Sequence, residues 1–371
     1  MRDPRLAQLA KNLLEHSLHM QRGEKLLIET TVAAKPLVQE LLKLAYEKEL
    51  LPFVRLSDEE VKHWLLQNST EERQRIEASW DMQAMTDVDA YIQITADEND
   101  AEFTGVRPEI MQMRARIRKP WSDLVLNHRK WVLLNWPTVG QAQKARMSYS
   151  DFCDFIIDTS CVDYAEMGRR MQPLCALMAK TDRVHIKGPG TDLRFSIKGI
   201  PIVPCAGENN IPDGEVYTAP VKDSVEGTLT YNTPSPYHGK IYNKVSLEFS
   251  KGRIIRATAE QDSEALNAIF DTDEGARYVG EFALGVNPRV TRAFCNTLFD
   301  EKIMGSFHFT PGMAYENDAD NGNRSAIHWD MVCIQTPEFG GGEIWFDDVL
   351  VRKDGMFVLE ELKPLNPMMV D

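Results

Sequence analysis

Residues 183–197 read RVHIKGPGTDLRFSI, and this stretch separates two different patterns in the chain. The Gly188-Pro189-Gly190 turn lies between two segments in which apolar and polar residues alternate, which is typical of a β-hairpin. Before residue 183, strand-like and helix-like segments follow one another in turn. After it, short strand-like segments are separated mainly by turns. The sequence therefore predicts a change of fold class near residue 183.

The segments before residue 183 predict a mostly parallel sheet with helices. Strand-like runs such as Leu51 to Leu56 and Ala90 to Ile94 alternate with helical stripes, for example the one from Leu37 to Ala45. Such alternation requires crossover connections. We therefore expect an α/β protein, with a doubly wound α/β domain over residues 1–182 and a β-rich α+β domain over residues 183–371.

The charge balance argues against several classes of partner. The chain has 371 residues, with 42 Lys and Arg against 56 Asp and Glu, so its formal net charge is −14. An acidic chain without a basic run is a poor candidate for binding nucleic acid or an anionic membrane surface. No apolar stretch approaches the roughly 20 residues needed to cross a bilayer. We expect neither nucleic acid nor a membrane as a partner.

The cysteines indicate a reducing compartment. No two of them form a C-x-x-C pair, and most have apolar neighbours. Buried free thiols are therefore expected, which makes thiolate ligation of zinc unexpected and favours a cytoplasmic location. The cysteines are Cys153, Cys161, Cys175, Cys205, Cys295 and Cys333.

Six acidic and imidazole side chains in the C-terminal part of the chain are candidate metal ligands. All lie in short segments that resemble strands, where a solvated surface charge is unexpected. Carboxylates mixed with imidazoles are suited to one or two divalent cations, so the second domain is predicted to bind metal. The six are Glu215, Glu281, Glu301, His308, His328 and Asp330.

The triplet His328-Trp329-Asp330 is the sharpest local signal. Residues two apart in a strand project to the same face, so the two outer side chains can bind one cation.

Each candidate also has an ordinary interpretation. Glu215 can be a solvated rim carboxylate, Glu281 can pair with an arginine, and His308 can be a hydrogen-bonded core residue. The hypothesis depends on the joint occurrence of these residues.

Four motifs then occur in a fixed order that resembles the thermophilic metalloprotease family, the aminopeptidase T and aminopeptidase S group. The resemblance is strongest from about residue 205 to 362. No G-x-S-x-G elbow, Walker loop or H-E-x-x-H motif is present in the sequence. The four motifs are NIPDGEVYTAP (210–220), GEFALGVNP (280–288), LFDE (298–301) and HWD (328–330).

The resemblance implies a metal-dependent aminopeptidase with two neighbouring divalent ions. The six candidates would be the ligands, and Glu281 would be the bridging carboxylate. Tyr315, at the family's interval after His308, would stabilise an oxyanion, while Glu215 or Glu281 would move the proton. Zinc or cobalt would be the ions, with manganese or magnesium as alternatives. The substrates would be peptides with a free N-terminus, and the family implies a homodimer.

Two stretches depart from the family pattern. The segment 302–307 is longer than in typical members, which leaves the Glu301 assignment open, and the stretch between Tyr315 and His328 is compressed.

Two other functions stay open as well. One is a mononuclear iron ring-cleaving dioxygenase related to the dihydroxypyridine dioxygenases, which would use the same ligand types. The other is a non-catalytic member that binds a structural cation.

Overall fold

The computed structural model describes residues 3–367. In the first 180 residues, strands alternate with α-helices. The helices are α1 (Arg5–Lys11), α2 (Lys35–Glu47), α3 (Glu59–Gln67), α4 (Glu71–Asp87), α5 (Pro108–His128), α6 (Val139–Lys144), α7 (Tyr149–Ser160) and α8 (Tyr164–Met178). The strands are β1 (Lys25–Thr31), β2 (Leu51–Ser57), β3 (Ala90–Thr95) and β4 (Lys130–Asn135).

The rest of the chain consists mainly of short strands. They are β5 (Arg183–Gly188), β6 (Thr191–Ser196), β7 (Val203–Cys205), β8 (Asn210–Ile211), β9 (Glu215–Thr218), β10 (Glu226–Thr230), β11 (Ser235–Tyr237), β12 (Lys240–Tyr242), β13 (Ser246–Ser250), β14 (Arg253–Thr258), β15 (Val279–Gly285), β16 (Ser306–Pro311), β17 (Val332–Ile334), β18 (Glu343–Phe346), β19 (Val349–Lys353) and β20 (Met356–Phe357). The α-helices are α9 (Ser263–Phe270) and α10 (Thr297–Asp300).

Shorter helical segments complete the described chain. A π-helical segment, Asn12–Ser17, continues α1, and the 3₁₀ segments are Val32–Ala34, Glu274–Arg277, Pro337–Phe339 and Glu360–Leu365. Within residues 3–367, no helix combines the length and apolarity that a membrane crossing requires.

The chain forms two compact units, and each is described by itself. The first contains the described residues up to Cys161 together with Gly207–Pro212. The second contains Val162–Ala206 and the described residues from Asp213 onward. The change of pattern near residue 183 coincides with the β5–β6 hairpin, in which Gly188 lies opposite Thr191. A functional boundary between residues 1–182 and 183–371 stays a prediction.

The first unit contains the parallel sheet that the alternating pattern predicted. Its strand order is β2-β1-β3-β4-β8, and every neighbouring pair is parallel. The side chain of Asp58 caps α3 by accepting a hydrogen bond from the backbone N–H of Val61 at 3.0 Å. On the sheet, Leu27 and Tyr91 pack against Met85 of α4 and Val125 of α5.

The second unit contains two larger antiparallel sheets. One has the order β14-β13-β10-β6-β5-β18-β19-β20, and the other has the order β17-β16-β15-β9-β7. Phe195 of β6 lies 4.9 Å from Phe282 of β15 and 5.0 Å from Phe309 of β16, measured between ring centroids. The two sheets therefore bury aromatic side chains against each other. The predicted fold class, α/β followed by a β-rich α+β part, is confirmed.

The five-stranded antiparallel sheet of the second unit has a polar face on the side opposite to these aromatic side chains. Alternate residues of a strand lie on the same face, so Glu281, Ala283 and Gly285 share the face opposite Phe282. In the sheet register, Ala283 lies beside His308 and Gly285 lies beside Glu215. A Cβ atom at position 285 would lie 2.3 Å from the carbonyl oxygen of Ile303, so glycine there lets the segment with Glu301 and Ile303 approach the sheet closely. The alternation in GEFALG therefore produces one apolar and one polar face.

Candidate metal centre

Three neighbouring strands hold Glu215, Glu281 and His308 on this polar face. They belong to β9, β15 and β16 respectively, and none of the three residues is more than 6% exposed. The Nε2 atom of His308 lies 2.9 Å from Oε1 of Glu281 and 3.2 Å from Oε2 of Glu215. The three residues can thus direct two oxygens and one nitrogen to a single cation.

A second group shares Glu281 and adds His328 and Asp330. The Nε2 atom of His328 lies 3.4 Å from Oε2 of Glu281 and 3.2 Å from Oδ1 of Asp330. The two oxygens of Glu281 therefore face two different imidazoles. A carboxylate that bridges two cations requires this arrangement, and the bridging role that the family resemblance implies for Glu281 stays a prediction.

The backbone around His328 differs from the predicted strand. His328 forms only an isolated bridge with Gly312, and regular pairing begins at Val332. Gly312 has φ +110°, and a Cβ atom there would lie 2.1 Å from the carbonyl oxygen of Ile327. Only glycine allows this close approach of the two segments. The expectation of a regular strand was wrong, although His328 and Asp330 still meet at one site.

Hydrogen bonds orient two of the candidate ligands. The Nδ1 atom of His328 lies 2.8 Å from the carbonyl oxygen of Met313, so Nδ1–H donates there and Nε2 is left facing the carboxylates. The hydroxyl of Thr310 donates to Oδ1 of Asp330 at 2.7 Å. Partners of this kind fix the orientation of metal ligands in proteins.

One buried oxygen of the cluster has no hydrogen-bond donor in the described chain. It is Oε2 of Glu215, which faces the His308 imidazole. An orphaned carboxylate oxygen is costly to bury. A cation shared with His308 would supply the missing partner, so these residues fit a bound metal ion.

Glu301 occupies a different place from the other candidates. It follows the short helix α10 and does not lie in a strand, contrary to expectation. Its Oε1 atom lies 2.6 Å from Nζ of Lys302, and Glu301 belongs to neither three-residue group. Its role as a metal ligand stays a prediction.

Sequence reasoning missed Lys302, a lysine that is only 1% exposed. Its Nζ atom lies 2.5 Å from Oε1 of Glu215 and 3.6 Å from Oδ1 of Asp213. A lysine that follows two acids is usually a surface residue. The only signal was the apolar pair Ile303-Met304 after it, which is too weak to assign burial.

A third group of potential ligands, Cys205, Asp213 and Glu215, already has a cation beside it. The Lys302 ammonium contacts both carboxylates of this group. Burial, followed by the charges of Asp213 and Glu215, raises the pKa of the Cys205 thiol well above its usual value. The expectation that no thiolate binds the metal stays a prediction.

The cluster carries more negative than positive charge. With both imidazoles neutral, its five carboxylates and one ammonium leave a formal charge of −4. The carboxylates are those of Asp213, Glu215, Glu281, Glu301 and Asp330, and the ammonium is that of Lys302.

This excess of negative charge shifts several pKa values. Burial lowers the pKa of His308, but the Glu215 and Glu281 carboxylates outweigh this effect and raise the pKa to about 9. Burial raises the pKa of Glu301 to about 8, with Lys302 opposing the shift. In the absence of a metal ion, protons thus take the place of the missing cations.

Tyr315 lies at the edge of the cluster. Its hydroxyl is 3.3 Å from Nε2 of His328, and 41% of the residue is exposed. Loss of water around the hydroxyl, followed by the charges of Glu281 and Asp330, raises the pKa of Tyr315 well above its usual value. The phenol therefore keeps its proton at neutral pH and can donate a hydrogen bond to a molecule that enters from the exposed side.

Known aminopeptidases resemble this chain, one of them over most of its length. Aminopeptidase T of Thermus thermophilus is 25% identical over 380 residues, which cover 88% of this chain and 91% of that protein. Aminopeptidase 2 of Geobacillus stearothermophilus is 34% identical over 163 residues, which cover 39% and 37% of the two chains.

The fold has a counterpart among solved structures. Wild-type AmpT from Thermus thermophilus superimposes with a TM-score of 0.82 over 96% of this chain and 99% of that chain, at 22% sequence identity. The family model described as thermophilic metalloprotease (M29) matches residues 2–357. The resemblance inferred from the four motifs is confirmed, and the chain belongs to the thermophilic metalloprotease family.

Proposed function

We propose that this metal-dependent aminopeptidase removes N-terminal residues from peptides at a centre that holds two divalent ions. Glu215, Glu281 and His308 would hold one ion, and Glu281, His328 and Asp330 would hold the other. The observation that carries this proposal is the position of Glu281. Its Oε1 and Oε2 atoms face His308 and His328 respectively, at 2.9 and 3.4 Å.

The charge of the cluster supports two divalent ions over one. Two such ions would neutralise the formal charge of −4 that the five carboxylates and Lys302 leave when both imidazoles are neutral. A single divalent ion would leave a formal charge of −2, which protons retained on Glu301 and on an imidazole would have to balance. Metal binding would also displace the protons that the cluster otherwise retains.

The chain's own residues have distinct roles in the proposed hydrolysis. When bound, the ions would polarise the scissile carbonyl and lower the pKa of a water molecule toward about 7. Tyr315 would donate its hydroxyl proton in a hydrogen bond to the developing oxyanion, an interaction worth roughly 3 kcal/mol in comparable sites. Glu215 and Glu281 are the candidates for moving the proton of the attacking water.

Several finer features belong to the same proposal. The mixture of carboxylate oxygens and imidazole nitrogens suits zinc or cobalt, with manganese or magnesium as alternatives. The free α-amine of a peptide would bind at the centre, which restricts cleavage to the N-terminus. The free cysteines support a reducing, cytoplasmic location. A homodimer is proposed from the family resemblance alone.

The alternative functions have less support. Nothing in the geometry or among the relatives favours the mononuclear iron dioxygenase, and a single iron would use only one of the two groups that share Glu281. A non-catalytic member would not need Tyr315 at the exposed edge of the centre, with its hydroxyl facing the ligands.

Peptide hydrolysis with and without metal tests the proposed function. We expect release of the first residue from an unblocked leucine peptide, loss of this activity with a chelator, and recovery when zinc or cobalt is restored. The matched N-acetylated peptide should not be cleaved. Equal cleavage of both peptides would contradict recognition of the free amine. Elemental analysis should give two divalent ions per chain, and one iron per chain would instead indicate the dioxygenase.

A further inference from the structure

The first unit contains a cavity of about 780 Å³, and none of its lining residues belongs to the metal centre. Its wall includes Thr31, Ser57 and Thr95, the last residues of β1, β2 and β3. The chain adds β2 on one side of β1 and β3 on the other, so the strand order reverses at this point. Crevices at such a reversal, beyond the carboxyl ends of parallel strands, are the usual ligand sites of open α/β sheets.

Part of the charged cavity wall is already paired. The guanidinium of Arg55 donates to Glu29 at 3.2 Å and to Asp81 at 3.0 Å. Arg118 contacts the other oxygen of Asp81, and the hydroxyl of Tyr91 donates to Glu29 at 2.8 Å. These groups satisfy one another and do not require a ligand.

Arg114 on α5 is the exception in this wall. Its one ion-pair contact within residues 3–367 is with Glu77 at 3.6 Å, and it has no hydrogen bond in that part of the chain. Arg73 approaches the same carboxylate to 3.3 Å. Four guanidinium groups of the wall therefore face three carboxylates, and the fork of donors on Arg114 is available to an anion.

A second group in the cavity wall has more negative than positive charge. Glu59, the first residue of α3, lines the cavity together with Asp97 and Lys62, and its Oε2 atom accepts a hydrogen bond from the backbone N–H of Glu98 at 3.3 Å. Burial and the neighbouring Asp97 raise the pKa of Glu59 to about 7. Two carboxylates with one nearby ammonium would be stabilised by another positive group.

We propose that this cavity binds a small zwitterion, either a free α-amino acid or a short peptide. The carboxylate of the ligand would bind Arg114, and its ammonium group would bind at Glu59 and Asp97. The cavity volume is within the usual range for small-molecule sites. Its aliphatic wall residues Leu66 and Ile94 suit an apolar side chain. The site is independent of the metal centre, although an aminopeptidase would release this class of molecule.

Isothermal titration of the metal-loaded full chain with L-leucine tests this site. We expect saturable binding that weakens by about tenfold or more in the Arg114→Gln variant, because one charge-assisted contact is lost. The matched control is Arg116→Gln on the same helix, whose side chain is 71% exposed and lies outside the cavity. Leucine binding in this control should equal that of the unaltered protein.

Further variants separate this site from the metal centre and from misfolding. Glu281→Gln should retain cavity binding, and loss of leucine binding in that variant would assign the ligand to the metal centre. In the same variant, the dipeptide Leu-Leu competes with leucine if the site also accepts short peptides, and a dipeptide that fails to compete restricts the site to free amino acids. Arg114→Lys should bind leucine with intermediate strength, and its melting temperature should match that of the unaltered protein.

Blocked ligands test the zwitterion itself. N-acetyl-L-leucine lacks the ammonium group and L-leucinamide lacks the carboxylate, so each should bind at least about tenfold more weakly than leucine. Equal binding of N-acetyl-leucine, or equally strong competition by sulfate, would show a simple anion site and overturn the proposal. Absence of saturable leucine binding at millimolar concentration would also overturn it.

Discussion

The two units contain charged clusters whose balance differs. In the first unit, the guanidinium groups of Arg55 and Arg118 meet the carboxylates of Glu29 and Asp81, and the four charges cancel. In the second unit, three carboxylates contact the ammonium of Lys302, and two more, those of Glu281 and Asp330, face the imidazoles beside them. Exposure differs as well, because the Arg55 side chain is 41% exposed and the Lys302 side chain is 1% exposed.

This difference separates a cluster that stabilises a fold from one that requires a ligand. Paired charges near solvent retain much of their hydration and need nothing further. Carboxylates buried without enough cations are stable only when protons or metal ions supply the missing charge. Excess buried charge therefore identifies the metal centre better than the number of acidic residues does.

The largest effect is expected from Glu281→Gln, which keeps the shape of the side chain but removes the charge shared by both ligand groups. Loss of a residue that merely supports a metal ligand costs about 10–100-fold in activity or affinity. Loss of the bridging carboxylate should therefore lower kcat by more than about a hundredfold and reduce the content of both ions. Peptide hydrolysis and elemental analysis of the purified variant provide the measurement.

A glutamate on the other sheet provides the control for this change. Glu248 of β13 is partly exposed and lies outside the metal centre, so Glu248→Gln should keep both activity and metal. If Glu281→Gln kept two ions per chain, the second unit would not need Glu281 to balance its charge. The contrast between the two units would then lose its main support.

Lys302→Met tests the charge balance of the metal-free protein. Removing one partner of a buried ion pair costs about 3–5 kcal/mol, because Glu215 and Glu301 would lose their only ammonium. We expect a decrease of this size in the free energy of unfolding with a chelator present, and a smaller decrease with metal bound. Urea denaturation under both conditions measures the two values.

An exposed lysine distinguishes this effect from a general loss of lysine. Lys198 is 75% exposed and lies 3.5 Å from Asp182, so Lys198→Met should change the free energy of unfolding by less than about 1 kcal/mol. A similarly small change in metal-free Lys302→Met would mean that protons alone balance the buried carboxylates.

Tyr315→Phe separates catalysis from metal binding in the second unit. The variant removes the donor whose hydroxyl lies 3.3 Å from the His328 imidazole, and we expect kcat to fall by roughly a hundredfold with unchanged metal content. Tyr149→Phe, at an exposed position of the first unit, is the control and should keep full activity. Loss of metal together with activity would assign Tyr315 to support of the ligands rather than to the oxyanion.

Local patterns predicted the fold well because they depend on neighbouring residues. The hairpin at residues 183–197, the strands around Leu51 to Leu56 and Ala90 to Ile94, and the helix around Leu37 to Ala45 all have the predicted structure. In each case, the face of the strand or helix on which a side chain lies follows from the position of the residue in the repeating pattern. The face shared by Glu281, Ala283 and Gly285 could therefore be inferred before the sheet was known.

Features that depend on distant segments could not be predicted in the same way. His328 bridges Gly312 instead of joining a regular strand, and the missing side chain of Gly312 lets the backbone of Ile327 approach closely. Lys302 is buried because Asp213 and Glu215, far away in the sequence, surround its ammonium. Short-range spacing contains no information about either contact.

The cavity of the first unit depends on long-range placement as well. Glu59 and Arg114 belong to helices on separate crossover connections, and only the parallel sheet order brings both to one cavity. Each side chain, considered in the sequence alone, is an ordinary charge on an amphipathic helix. The charge contrast between the units therefore becomes visible only when ion-pair partners are assigned in three dimensions.

The smallest effect is expected from Arg55→Met in the first unit. Arg118 would still contact Asp81, and Tyr91 would still donate to Glu29, so neither carboxylate would be left unpaired. Because Arg55 is also well exposed, the free energy of unfolding should decrease by at most about 1 kcal/mol, and less at high salt. Urea denaturation at low and high salt measures this change. A decrease as large as that of Lys302→Met would show that the first unit depends on its charge balance as strongly as the metal centre does, because only a buried and uncompensated charge produces a loss of that size.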